Sequence, residues 1–382
     1  METVHEIWVP DYDARFHCKG GSCRTSCCMG WGISLTQEEY FRLLGLACSP
    51  TLRARLDGAF HLADHPTPQR YALISPTWLG DCPLHDTDGL CMLQKECGEQ
   101  ALASICRCYP RSVKADGQAI MESACSNSCE AVIELLMAQE APLQFIRRSI
   151  QGPPRPVLHP AGGFRLPIRE ACIRQLQDRS APLQDRVLRM GAYLMRLESA
   201  SAEELPRRLS ASLQHHLPET GAKPKAAALS SLCNMMKALE PSSPSMQHFG
   251  AAALERYGAA SLSGQALARY CADSRQFDAR FPLWPRHFEH ILVNHIFYED
   301  FPFTDDRVSF SGEFLAFCGV YALLRLLSVA YMTRHEGDDA LADVLAGAFR
   351  LIEHTRFYYN ADRLMSAEGL NHEEGLYALL AL

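Results

Sequence analysis

Beyond residue 164, apolar side chains recur at three- and four-residue intervals almost without a break. That period lines them along one face of an α-helix. It predicts helices over 167–178, 182–198, 201–215, 224–239, 246–257, 260–278, 284–298, 311–334, 338–354 and 360–381. Ser201 and Glu204 have the spacing of a capping box, in which each side chain takes up a backbone N–H left free at the helix start. The most apolar stretch, FLAFCGVYALLRLLSVAYM at 314–332, is interrupted by Arg325 and reads as a buried helix, not a membrane span. The expectation for this part is a helical bundle with no substantial sheet.

The pattern upstream is shorter and more broken. Thr36 with Glu39 forms a capping box that opens a helix in SLTQEEYFRLLGL. The turn DTDGLC, with Asp88 and Gly89, hands the chain to Cys91 and a run of helical composition, CMLQKECGEQALASIC. Asn127 with Glu130 is placed to cap EAVIELLMA. A Pro- and Gly-rich stretch, QGPPRPVLHPAGGF at 151–164, then breaks all periodicity and marks the expected boundary between a domain at 1–150 and a second at 165–382. The fold class expected is mainly α: a cysteine-rich region of short helices and loops, followed by a multi-helix bundle.

Composition narrows the function. With 382 residues, 47% of them apolar, the chain can bury a large core without a metal or disulfide staple. A net charge of -7 and no basic run interleaved with aromatics argue against nucleic acid as a partner. The opening METVHEIWVPDYDARFHCKG has acidic residues and a proline where a secretory signal needs a basic start and an apolar core, so a cytoplasmic location is expected. In that reducing setting the 16 cysteines do not read as a disulfide framework.

Their distribution is informative. Cys172, Cys233, Cys271 and Cys318 stand singly and read as core residues, whereas the others lie between Cys18 and Cys129. CKGGSCRTSCCMGW supplies Cys18, Cys23, Cys27 and Cys28; CPLHDTDGLCMLQKECGEQALASICRCYPR supplies Cys82, Cys91, Cys97, Cys106 and Cys108; CSNSC supplies Cys125 and Cys129. Thiolates at these spacings make a soft site for zinc or an iron-sulfur cluster. A zinc ribbon shows cysteine pairs two residues apart, and none occurs here, so a cluster fits better than one ion. Gly20 and Gly21 allow the first loop to turn backbone N–H groups toward sulfur. Cys48, Cys97 and Cys108 read as packing residues.

VPDYDARFHCKGGSCRTSCCMGWGI, followed by CPLHDTDGLCMLQKECGEQALASICRCYPR and a cysteine ahead of the next helix, resembles the flagellin lysine N-methylase family, as do FEHILVNHIFYEDFPF and LIEHTRFYYN near the end of the chain. The resemblance implies an enzyme that moves methyl groups from S-adenosylmethionine to lysine side chains of flagellin, and an iron-sulfur cluster of the 4Fe-4S type. It places Cys18, Cys23, Cys27, Cys28, Cys82, Cys91, Cys106 and Cys125 on the family's cysteine positions, with Cys129 as a local addition. Eight thiols exceed the four that one cluster needs, leaving a second metal or spare thiols.

The residues themselves say less about methyl transfer. There is no glycine-rich strand-to-helix turn of the nucleotide-binding kind, and no CxxxCxxC. Two routes stay open: a base frees the amine for in-line attack on the sulfonium methyl, or an iron with an open position binds the donor's amino and carboxylate groups. Candidates for the chemistry are Tyr109, His290 and His295, although a core or solvated histidine is the simpler reading for His287, His290 and His295. Tyr298, Glu299 and Asp300 end the same helix, where they either bind an amine or face water. Arg107 and Arg111, flanking Tyr109 in CRCYPR, are candidates to grip the donor's carboxylate. The alternative is a non-catalytic zinc- or iron-binding interaction protein.

Overall fold

The computed structural model describes residues 4–29, 32–78, 80–115, 121–151, 165–198, 204, 216–239, 244–258 and 264–382. The Pro- and Gly-rich stretch, but for Gln151, and the helix expected over 201–215, but for Glu204, lie outside the described residues.

The chain forms two compact units: Met1–Phe16, Ser112–Ser128 and Val132–Leu382 make the large one, and His17–Arg111 with Cys129–Ala131 the small one. This division does not run at 151–164. The first strand and much of the segment after residue 111 group with the helices, so in chain order the small unit is an insertion.

In the large unit, β1 (Val4–Pro10), β5 (Arg111–Ala115), β6 (Met121–Cys125) and β7 (Phe145–Gln151) form a sheet in the order β5–β6–β1–β7. β1 runs parallel to β6, pairing Ile7 with Met121, and antiparallel to β7, pairing Ile7 with Arg148. Ile7, Val9 and Met121 bury one face. The expectation of no substantial sheet is corrected here. These strands come from short segments on either side of the insertion, and their pairing is non-local.

The helices follow the expected periods closely: α5 (Glu130–Ala138), α6 (Arg165–Gln177), α7 (Leu183–Glu198), α8 (Ala222–Leu239), α9 (Pro244–Ala253) running into a π turn (Leu254–Gly258), α10 (Gly264–Arg280), α11 (Trp284–Glu299), α12 (Phe310–Tyr331) and α13 (Gly337–Ile352). The last predicted helix splits into α14 (Phe357–Ala367) and α15 (Glu373–Leu380), because the chain turns at Gly369 and Leu370 and restarts with the His372 ring capping the Gly375 amide at 2.9 Å. α12 packs against α7, α9, α10, α13, α14 and α15. It is long and apolar enough to cross a membrane, but 94% of its apolar window is buried inside the protein. Cys172, Cys233 and Cys318 are buried as expected, and Cys271 is half-buried.

In the small unit, β2 (Ile33–Leu35), β4 (Ala72–Ile74) and β3 (Phe60–Leu62) form an antiparallel sheet in that order. The Thr36–Glu39 capping box opens α1 (Gln37–Leu44), and Ser49 caps α2 (Pro50–Ala59). The run expected to be one helix from Cys91 breaks at Gly98 into α3 (Met92–Cys97) and α4 (Ser104–Cys108). Leu35, Leu43, Leu52, Leu56 and Leu93 form its core, with Cys48 and Cys97 packed against it.

α7 and α12 meet at Gly191, where an added Cβ would lie 2.0 Å from Cζ of Phe314. Gly191→Ala is therefore expected to cost about 1–3 kcal/mol of stability through overpacking. Chemical denaturation followed by circular dichroism measures this, and an unchanged midpoint would mean the contact has slack.

Candidate functional site

The small unit gathers its cysteines chiefly through backbone hydrogen bonds. The Cys82 N–H donates to the Cys28 carbonyl at 2.7 Å, and Met29 bridges Asp81 beside it. The loop from Cys82 folds back on itself: the His85 N–H donates to the Cys82 carbonyl at 3.0 Å, His85 bridges Cys91, and the Met92 N–H reaches the Leu84 carbonyl at 2.8 Å. Cys91 thereby becomes the residue preceding α3, without a side-chain cap to that helix. In the first loop, the Gly20 N–H stands 3.4 Å from Cys18 Sγ, as its glycines led one to expect. Cys106 rides on α4, which is fixed by the Glu39 carboxylate accepting from the Ser104 N–H at 2.6 Å.

Glu130 secures the first loop. Its buried carboxylate accepts from Lys19 Nζ at 2.7 Å and from the Arg24 and Thr25 amides at 3.0 and 2.9 Å. Burial raises its pKa, but these donors outweigh that and hold it below the ordinary range. The Asn127–Glu130 cap is thus corrected: Glu130 serves this loop, and the Asn127 side chain donates to the Ile291 carbonyl at 3.0 Å.

The thiols feel one another. Cys28, Cys82, Cys91 and Cys106 are mutually coupled by charge, and Cys18 couples to Cys23 and Cys27. A hydrogen bond with Cys27, with help from Ser26 and His85, lowers Cys28 to about 6 against the cost of burial. The same bond to Cys28, together with burial, drives Cys27 up. Burial lifts Cys82 and Cys23 to about 11, and raises Cys91 and Cys106 as well. One thiolate therefore discourages the next, and ionising all of them requires positive charge among them. Cys125 belongs to the large unit, fully buried, with its carbonyl accepting from Asn294 Nδ2 at 2.9 Å. Cys129, which the resemblance had set aside, is in the small unit and couples to Cys23.

Among the described residues, no three His, Cys, Asp or Glu side chains converge as ligands of one ion. Four sulfurs on a single zinc would close to roughly 3.8 Å of one another, given Zn–S bonds of about 2.3 Å. A cluster carries each thiolate on a different iron and asks for wider spacing. The four soft thiol donors of the Cys28 set fit such a group by chemistry. Arg107 and Arg111 are exposed, and Tyr109, whose N–H donates to the Ile105 carbonyl at 3.0 Å, is half-buried in the same unit.

The large unit holds a second polar assembly. Every residue of α11 from His287 to Phe297 is buried. His295 Nδ1 lies 2.9 Å from Glu353 Oε1 and its Nε2 lies 2.9 Å from the Tyr358 hydroxyl. Glu353 Oε2 accepts from the Ser126 hydroxyl at 2.6 Å and the Asn127 N–H at 2.9 Å. The Tyr12 hydroxyl donates to Asn294 Oδ1 at 2.7 Å, and Asn294 Nδ2 donates to Asn127 Oδ1 at 2.7 Å. Burial raises Glu353 to about 8 and lowers His295 to about 4. The pair thus keeps a single proton across neutral pH.

His290 is equally closed, with Nδ1 at 3.0 Å from the Leu136 carbonyl and Nε2 at 3.0 Å from Arg179. Both candidate histidines are 0% exposed with both ring nitrogens engaged, which closes their rings to a substrate amine. At the half-buried end of α11, Glu299 is raised by burial, and Asp300 accepts from Arg169 at 3.0 Å and Arg165 at 3.3 Å. Sequence reasoning missed Glu353, Ser126, Asn127, Asn294 and Tyr12, which no local spacing connects.

Two outcomes are expected. A Cβ at Gly21 would sit 2.6 Å from the Asp88 carbonyl, so Gly21→Ala should part the two cysteine loops and weaken metal binding about 10-fold or more, measured as metal retained against a chelator. Retention equal to the parent would show that the loops need no such contact. Glu353→Gln, which imitates the protonated carboxyl, should keep stability near neutral pH, whereas Glu353→Ala should cost about 3 kcal/mol by orphaning buried groups. A folded Glu353 that holds its proton to about 8, against 4.5 when unfolded, makes stability fall as pH rises through that window. His295 acts oppositely between about 4 and 6.5. Denaturation from pH 6.5 to 8 should therefore show a downward slope in the parent that is reduced in Glu353→Gln.

Residues 169–379 match the FliB lysine N-methylase C-terminal domain. The chain is also similar to the Lysine-N-methylase of Salmonella typhimurium, with 33% identity over 111 residues that cover 28% of this chain and 27% of that protein. A Lysine-N-methylase of Salmonella choleraesuis is 32% identical over the same length, with the same shares. The Flagellar biosynthetic protein FliU of Salmonella muenchen is 32% identical over 111 residues, which cover 28% of this chain and 65% of that protein. No solved structure gives a significant match. The matches to these relatives thus span less than two thirds of their lengths, but the family match spans more than half of the chain, which belongs to the FliB lysine N-methylase family.

Proposed function

We propose that the protein is a protein-lysine N-methyltransferase that moves the methyl group of S-adenosylmethionine onto side-chain amines of flagellin. The family match over 169–379 carries this reading, and the names of the relatives supply the substrate class. Flagellin would be met in the cytoplasm before export, a reducing setting that suits a chain of 16 cysteines.

Cys28, Cys82, Cys91 and Cys106 would hold a 4Fe-4S cluster, with Cys18, Cys23, Cys27 and Cys129 lining the adjoining loop. When bound, the cluster would supply positive charge to the thiolates. The chain's own part is to orient and to manage protons. The main-chain bonds from the Cys82 N–H to the Cys28 carbonyl and from the His85 N–H to the Cys82 carbonyl would hold the ligand loops in place. Arg107 and Arg111 would grip the donor's carboxylate, and Tyr109 between them would take the lysine proton. Attack on the sulfonium methyl needs the neutral amine, so desolvating the lysine beside Tyr109 favours reaction.

The test combines protein purified without oxygen, S-adenosylmethionine and unassembled flagellin, with methyl-lysine read by mass spectrometry. Iron and sulfide should accompany methylation, and Cys91→Ala should lose both, with activity down about 100-fold or more. Metal binding without methyl transfer would instead establish a non-catalytic metal-binding protein.

A further inference from the structure

In the small unit, Arg53 and His85 carry buried polar side-chain atoms without a hydrogen-bonding partner among the described residues. His85 Nε2 is sealed from solvent. Its backbone, by contrast, is fixed on every side. The N–H donates to the Cys82 carbonyl at 3.0 Å, the residue bridges Cys91, and its carbonyl accepts from Arg55 Nη1 at 3.3 Å. His85 is thus held by two of the thiol residues assigned to the cluster through the main chain, and Cys82 in turn is tied to a third, Cys28, by its N–H on the Cys28 carbonyl at 2.7 Å.

Buried polar groups in native proteins are nearly always satisfied, and an exception calls for something outside the chain. The other orphaned atoms are of a different kind. Arg169, Arg186 and Arg286 Nε, His287 Nδ1, Tyr193 Oη and Ser328 Oγ belong to the large unit, and in the small one Arg53 Nε lies on a guanidinium whose Nη1 donates to the Leu43 and Leu44 carbonyls and whose Nη2 lies 2.8 Å from Asp57. His85 Nε2 alone among them has a metal-binding cradle beside it. An imidazole N–H is a donor suited to the sulfur of a cluster, and such hydrogen bonds raise a cluster's reduction potential by stabilising the added negative charge.

We propose that His85 donates a hydrogen bond from Nε2 to a sulfur of the metal centre held by Cys28, Cys82, Cys91 and Cys106, making it the centre's non-cysteine contact and a determinant of its reduction potential. The inference rests on reading that centre as an iron-sulfur cluster. It involves no bond to iron and no change in the count of cysteine ligands.

The experiment uses the full chain, isolated without oxygen and labelled with 15N-histidine. Iron and sulfide are measured first, then the potential by redox titration, then weak 15N coupling in the pulsed electron paramagnetic resonance spectrum of the reduced protein. Weak coupling is expected in the parent and should disappear in His85→Leu, whose potential should be more negative. His85→Gln, which restores an N–H donor, should recover part of the potential. Strong coupling would overturn the donor role in favour of direct ligation. An unchanged spectrum and potential in an iron-loaded His85→Leu would overturn it alone, leaving the cluster intact. Zinc without sulfide in the parent would overturn the cluster and the donor role together. Should His85→Leu fail to fold, the labelled parent still decides: absence of any histidine coupling rejects the proposal.

Discussion

An ionisable group taken out of water must find an opposite charge, a set of hydrogen-bond donors or a proton, and both units are organised around that requirement. Glu289 takes the first course, accepting from Arg179 Nη2 at 2.8 Å and Arg186 Nη1 at 2.5 Å with none of its side chain exposed. Glu353 combines the other two, with donors on one oxygen and a shared proton on the other. Glu313 accepts from Thr304 and the Asp305 amide, yet burial still raises it to about 7. These choices fix where α11, α12 and the segment after α13 lie with respect to one another. They also explain why α11 carries His290, Asn294 and His295 on faces that never meet solvent.

The thiols of the small unit pose the same problem with a different answer. Carboxylates in the large unit find arginines and serines, whereas Cys82, Cys91 and Cys106 are raised by burial and by one another. Ionising one of these thiols therefore makes the next harder to ionise. The cradle depends on loops whose geometry is set by main-chain bonds, so its ligands are held even though the segments are short.

The insertion gives the molecule its particular topology. β1 leaves the sheet, the chain builds the small unit, and the return through β5 and β6 places β6 parallel to β1. A parallel pair requires a long crossover, and here the crossover is an entire compact unit. CSNSC belongs to both: Ser126 and Asn127 bind Glu353 in the large unit, while Cys129 and Glu130 serve the small one. The two stretches near the end of the chain that carried the family resemblance, around Asn294 and His295 and around Glu353 and Tyr358, meet in the same polar network.

Helix positions were legible in the sequence because periodicity is local: a buried face repeats every few residues whatever it packs against. The capping box at Thr36 and the turn at Asp88–Gly89 were legible for the same reason, as was the clustering of the cysteines, which depends on residue type and close spacing. The sheet was not, since β1 and β6 are separated by the inserted unit and each strand is too short to announce its partner. Nor was the fate of the histidines, because a helical wheel shows which side chains share a face but not that Leu136 and Arg179 will close around His290. Local chemistry in the sequence thus determined the helices and the soft donor set. Tertiary structure alone decided that Cys129 joins Cys23, that Cys125 belongs with the helices, and that Glu353 meets Ser126 across 227 residues, because those outcomes depend on how the chain returns to itself.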